Sequence, residues 1–158
     1  MGQKRTTILL AALTLLGVVA SALVLVGGVD SSRGASVSLP EAALPQGCSR
    51  PAGGYLIVMT KYGYNDSVLE GAGPTKAWPV IRVAQGQEVN ITVCNADPTQ
   101  AHGFQIETYY DERIVAVDPG QVVQVSFVAN EVGTFRIYCA IFCTIHLFMQ
   151  YGQLQVTP

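Results

Sequence analysis

Residues 139–149, Cys139-Ala-Ile-Phe-Cys-Thr-Ile-His-Leu-Phe-Met149, hold two of the chain's 4 cysteines, one of its 2 histidines and one of its 3 methionines. Thiolate, imidazole and thioether are the soft and borderline donors that select copper over the hard cations. The bland reading of the same residues is a Cys139–Cys143 disulfide beside a loop histidine and a core methionine. The other histidine decides between them. His102 closes the turn-rich stretch Asn95-Ala-Asp-Pro-Thr-Gln-Ala-His102 and precedes the apolar Phe104-Gln-Ile106. A lone histidine in such a place is more often a loop or core residue. Matched with a distant Cys/His/Met loop, it is a candidate ligand, and the four residue types together point to a metal.

Such ligands need rigid elements to hold them. The loop lies between two strand-like runs, Thr134-Phe-Arg-Ile-Tyr138 and Gln153-Leu-Gln-Val-Thr157. Upstream, Tyr55-Leu-Ile-Val-Met-Thr60 is a short β-prone run. Pro79-Val-Ile-Arg-Val-Ala84 and Glu88-Val-Asn-Ile-Thr-Val-Cys94 alternate about the turn Gln85-Gly-Gln87. Ile114-Val-Ala-Val117 leads through Pro119-Gly120 into Val122-Val-Gln-Val-Ser-Phe127, and Asn130-Glu-Val-Gly133 is a further turn. Short strands at this spacing, punctuated by Gly, Pro and Asn, predict a sandwich or barrel. In a sandwich, loops distant in sequence can meet at one end. Residues 62–76 carry little strand signal and read as a long loop or irregular hairpin.

The ends of the chain read differently. Lys4 and Arg5 precede an uncharged, mostly apolar run from Ile8 to Gly28, long enough to cross a bilayer as a helix. Residues 1–28 are therefore expected to be a membrane anchor. Its basic end stays in the cytoplasm and the rest of the chain lies on the outer side. Cleavage as a signal peptide is the alternative, with Ala20-Ser-Ala22 inside the run. Residues 29–54, rich in small residues and without a period, read as a linker. Residues 55–158 form the folded domain. The chain carries 9 Lys and Arg against 11 Asp and Glu. No basic patch indicates nucleic acid.

At these residues the chain resembles the cupredoxins. The match runs through Pro79-x-Ile-x-Val-x-x-Gly-x-x-Val89, Asn95, His102-Gly-Phe-x-Ile-Glu107, Pro119-Gly120 and Gly133-Thr-Phe-Arg-Ile-Tyr-Cys139. More narrowly it is similar to the CuA domain of subunit II of heme–copper oxidases, in the form with one N-terminal helix. The resemblance implies an all-β Greek-key sandwich behind one transmembrane helix. It also implies two copper ions, bridged by the thiolates of Cys139 and Cys143. His102 and His146 would each bind one ion, with Met149 and the backbone carbonyl of Ile141 as weak ligands. The function implied is a non-catalytic electron-entry subunit. It would take electrons from an external cytochrome c or small copper protein and pass them to heme in a partner subunit I. Cys48 and Cys94, left over in an external domain, are expected to form a disulfide.

The loop departs from that pattern. The family has Cys-x3-Cys-x3-His-x2-Met, whereas this chain has Cys-x3-Cys-x2-His-x2-Met. The segment Cys143-Thr-Ile-His-Leu-Phe-Met149 is similar to the compact ligand loop of amicyanin, a mononuclear blue copper protein. The alternative is therefore one type 1 copper, held by His102, Cys143, His146 and Met149, in a stand-alone, membrane-tethered electron carrier. Against it, the spacing from Gly133 places Cys139, rather than Cys143, at the strand end where the copper cysteine is usually found. The paired tryptophans of the typical electron-entry strand are also absent; Tyr62-Gly-Tyr64 stands in the comparable stretch.

Overall fold

A computed structural model describes residues 44–112 and 115–158. The expected anchor, most of the expected linker and Ile114 lie outside the described residues. Among the described residues no helix is long and apolar enough to cross a membrane.

The strands follow from period-2 alternation. β1 (Tyr55–Thr60), β2 (Gly63–Tyr64), β4 (Glu88–Asn95) and β8 (Val122–Val128) form one four-stranded sheet in the order β2-β1-β4-β8. β3 (Val80–Ala84), β10 (Gly152–Thr157), β9 (Gly133–Tyr138) and β6 (Gln105–Ile106) form a second, in the order β3-β10-β9-β6. β1 runs parallel to β4 and β3 parallel to β10, and the other pairs within these sheets are antiparallel. One buried cluster joins the sheets: Ile57, Ile91 and Val93 from the first meet Ile81, Ile137 and Leu154 from the second. Alternate residues such as Arg82 and Gln124 face solvent. The described domain is thus a mostly-β sandwich of the cupredoxin kind.

Two local features refine the sequence reading. The turn at Gly86, whose φ is +81°, does not close a hairpin. It carries the chain from β3 in one sheet to β4 in the other. Residues 62–76 contribute only β2, after which Trp78 donates its indole N–H to the Asn65 carbonyl at 2.7 Å.

Two further short strands, β5 (His102–Gly103) and β7 (Ala116–Val117), pair antiparallel with His102 opposite Val117. They hold the first histidine at the end of the sandwich, where β9 delivers Cys139. The closing loop includes one turn of 3-10 helix, His146–Met149, which the strand and turn signals did not predict.

Candidate metal centre

β9 ends at Tyr138, so Cys139 enters the loop from a fixed strand end. Its N–H donates to the Met149 carbonyl at 2.9 Å, closing the base of the loop. Gln150 braces the same base, with its Nε2 donating to the Cys139 carbonyl at 2.8 Å and to the His146 carbonyl at 3.3 Å. Inside the loop the His146 N–H reaches the Cys143 carbonyl at 3.1 Å. With only two residues between Cys143 and His146, the chain turns back on itself and brings the imidazole over the sulfurs. The Ile141 carbonyl accepts from His146 Nδ1 at 2.9 Å and lies 3.0 Å from Cys139 Sγ.

Cys139, Cys143 and His146 offer ligand atoms within 4.8 Å of one another. Cys139 Sγ lies 3.9 Å from Cys143 Sγ, which lies 3.9 Å from Met149 Sδ. Among the described residues this is the one grouping of three His, Cys, Asp or Glu donors able to hold a metal. His102 stands outside it. The expectation of two bridged copper ions is corrected here: the one cluster of three donors, Cys139, Cys143 and His146, is consistent with a single copper ion. The shortened Cys-to-His spacing is the physical reason, because it folds His146 onto both thiols. The reading as the binuclear electron-entry subunit of a heme–copper oxidase falls with the second ion.

The sulfurs are also unequal. The Gly103 N–H donates to Cys139 Sγ at 3.2 Å. The thiol of Cys143 shares its proton with Cys139, and this hydrogen bond brings Cys139 down to about 5, against burial, with help from the Gly103 amide. The same sharing, with burial, pushes Cys143 far up. The two thiols titrate as a pair, and their contact favours one thiolate over two, with Cys139 shifted down and Cys143 up.

His102 is fully buried, and its neighbour Gly103 touches the loop at Cys139 Sγ. His102 Nε2 lies 3.0 Å from Asp97 Oδ2, while His102 Nδ1 has no hydrogen-bond partner. Burying an orphaned imidazole nitrogen is costly, and donation to a soft or borderline cation would offset that cost. The donor set and this nitrogen both fit one copper ion. The neighbouring Gly103 lets the two segments approach: a Cβ there would sit 2.7 Å from Ala140 N and 3.3 Å from Cys139 Sγ. The fully buried Tyr64 donates its hydroxyl to the Gly103 carbonyl. Burial, then the charge of Cys139, holds that phenol well above its usual range. Gln100 clamps the two segments from outside, donating to Thr144 Oγ1 at 2.9 Å and accepting from the Thr144 N–H at 3.1 Å.

Cys48 and Cys94 are joined in a disulfide, with Cα atoms 5.7 Å apart, and Cys139 and Cys143 are free thiols. The sequence reading did not single out Asp97, Gln100, Tyr64 or Gln150 for the site. The Asn-x-Asp-Pro-Thr turn was the available signal for Asp97. The other three were carried by no local pattern, because their partners lie in other segments.

No protein-family model matches the chain. Nitrous-oxide reductase of Ralstonia nicotianae is 32% identical over 85 residues, a match covering 52% of this chain and 13% of that protein. The chain thus corresponds to a small part of the curated relatives it matches. Among solved structures, copper nitrite reductase from Nitrosomonas europaea superposes with a TM-score of 0.51 at 19% identity, over 66% of this chain and 41% of that one. A multicopper oxidase superposes with a TM-score of 0.51 at 20% identity, over 70% and 45%. These likenesses show the fold alone, and it is the cupredoxin type of β-sandwich.

Proposed function

We propose that the protein is an electron carrier with one copper ion, tethered to the outer face of a membrane by residues 1–28. The observation that carries this reading is the single cluster of Cys139, Cys143 and His146, with Met149 Sδ beside it. The ligands we assign are the Cys139 thiolate, His146 and His102, with the Met149 thioether as a weak fourth. This is the two-imidazole, one-thiolate set of blue-copper electron-transfer sites. Copper bound there would supply a one-electron couple.

The protein's own part is to keep that couple rigid, dry and reachable. The Cys139 amide, the Gln150 brace and the Gln100 clamp fix the loop at three points. Cys139, Cys143, Met149 and His102 are buried, which excludes water. His146 is only partly buried and stacks on Phe142 with ring centroids 5.9 Å apart. Phe142 is 94% exposed and Leu147 73%. This uncharged rim around the outer imidazole supports transfer to and from a protein partner and offers no enclosed substrate chamber. An external redox protein as donor remains part of the proposal; a heme-bearing subunit I belonged to the two-copper reading.

The test is reconstitution of the chain with copper. One ion per domain, with a reversible one-electron wave in voltammetry, is the expected result. A domain that takes up no copper, or that turns over a substrate without acting as a carrier, contradicts it.

A further inference from the structure

Asp97 is a buried carboxylate beside His102. It is 1% exposed, and its two oxygens have separate tasks. Oδ1 accepts the Thr99 N–H at 2.8 Å and the Thr99 hydroxyl at 2.6 Å. Oδ2 lies 3.0 Å from His102 Nε2, and both side chains are closed to solvent. The carboxylate is itself held in place: its own N–H donates to Asn95 Oδ1 at 2.9 Å, while Asn95 Nδ2 donates to the Gln100 and Val117 carbonyls, each at 2.8 Å. Oδ1 is already occupied by the two Thr99 donors, so Oδ2 is the acceptor left for the imidazole. An ionised carboxylate only accepts. The imidazole must therefore place its proton on Nε2, and Nδ1, the atom with no partner, keeps its lone pair.

We infer that Asp97 is a positioning residue, which fixes His102 in the Nε2–H tautomer and so presents Nδ1 as the ligand atom. Partners of this kind orient ligating imidazoles and raise their basicity. Asp97 also places a fixed negative charge one imidazole away from the site, which favours the more positively charged oxidation state of a bound copper. The inference rests on the copper reading for its consequence, though not for the tautomer, which belongs to the metal-free protein.

The experiment uses the full chain and three variants. Long-range nitrogen–proton NMR of the metal-free protein reads the His102 tautomer, chelator competition reads copper affinity, and voltammetry reads the potential. The wild type is expected to show Nε2–H. Asp97→Ala should lose that single tautomer and bind copper about 10–100-fold more weakly. Asp97→Asn keeps the shape but has one acceptor oxygen where the carboxylate has two, so it should disturb the single tautomer, weaken copper binding less than Asp97→Ala, and raise the potential through loss of charge. Thr99→Val removes only an Oδ1 contact, so it should lower the melting temperature and keep tautomer and potential. An unchanged tautomer in Asp97→Ala, or its loss in Thr99→Val, would show a merely structural role and overturn the inference. If Asp97→Ala does not fold, Asp97→Asn decides: a raised potential supports the inference and an unchanged one overturns it. Failure of the copper reading shows separately, as a wild-type protein that takes up no copper.

Discussion

The Gly103 N–H donates to the sulfur of Cys139 at 3.2 Å, joining residues 36 apart in sequence. This bond is the seam of the site. It ties the short strand that carries His102 to the loop that carries the other donors, and it can form only because position 103 has no side chain. A Cβ there would meet Ala140 N at 2.7 Å and Ile141 N at 3.0 Å, both of them backbone atoms that cannot rotate away.

Gly103→Ala should therefore push the loop off the strand. Overpacking of this kind costs roughly 1–3 kcal/mol, and the displaced sulfur should weaken copper uptake as well. Chemical denaturation together with copper titration checks both. A variant with wild-type stability and affinity would show that the seam is not tight.

The disulfide gives an independent test of the frame. Cys48 and Cys94 are 46 residues apart in sequence, and Cys94 lies in β4, the strand that leads into the Asn95–His102 segment. Closing a loop of that size stabilises by about 4 kcal/mol in the chain-entropy treatment. Cys48→Ser, which leaves the buried Cys94 in place, should lower the urea midpoint by a corresponding amount. Reductant should lower the wild-type midpoint similarly and leave the variant unchanged. Equal midpoints for wild type and variant would remove the disulfide from the account.

The loop thiols predict how the metal-free domain responds to pH. A free cysteine ionises near about 8.5 in an unfolded chain, whereas Cys139 is held down to about 5 in the fold, chiefly by the thiol of Cys143. A depressed acid stabilises the fold above its unfolded value, and that stability is lost as pH falls toward the folded value. Stability should accordingly decline from about pH 8.5 to pH 5. Cys143 is shifted the other way, so its contribution is present below its unfolded value and fades in more alkaline solution. Urea midpoints of the metal-free domain across this range should pass through a maximum, and Cys139→Ser should flatten the acidic limb. A flat wild-type profile from pH 5 to 8.5 would contradict the sharing of one proton.

The strands and the donor residues were legible because both rest on local pattern. Ile81 and Val83 alternate with Arg82, and Cys, His and Met crowd into one short loop. The number of metal ions was not legible in the same way. Residue counts and family spacing favoured two, whereas the outcome turns on a backbone turn, His146 N–H to the Cys143 carbonyl. That turn follows from the one-residue shortening and decides which donors face one another. The long-range supports were equally silent. Gln100 meets Thr144, and the Tyr64 hydroxyl meets the Gly103 carbonyl, only after the sheets have packed. A polar side chain in a loop carries no sequence mark of a partner 44 residues away.

The uncharged rim makes a prediction about encounter. Residues 139–149 contain no Lys, Arg, Asp or Glu, and Phe142, Leu147 and Phe148 are their exposed apolar residues. Electron exchange with a redox partner should depend weakly on ionic strength, because screening acts on charge and not on apolar contact. Phe142→Ser should slow the exchange and leave the copper spectrum in place. A steep salt dependence, or an exchange rate indifferent to Phe142, would move the contact face elsewhere.

Whether one copper is held by one thiolate is read by electron paramagnetic resonance of the oxidised, copper-loaded domain. Hyperfine coupling to a single copper nucleus is expected, retained in Cys143→Ser and abolished in Cys139→Ser. A signal shared between two equivalent copper nuclei, lost with either substitution, would contradict it.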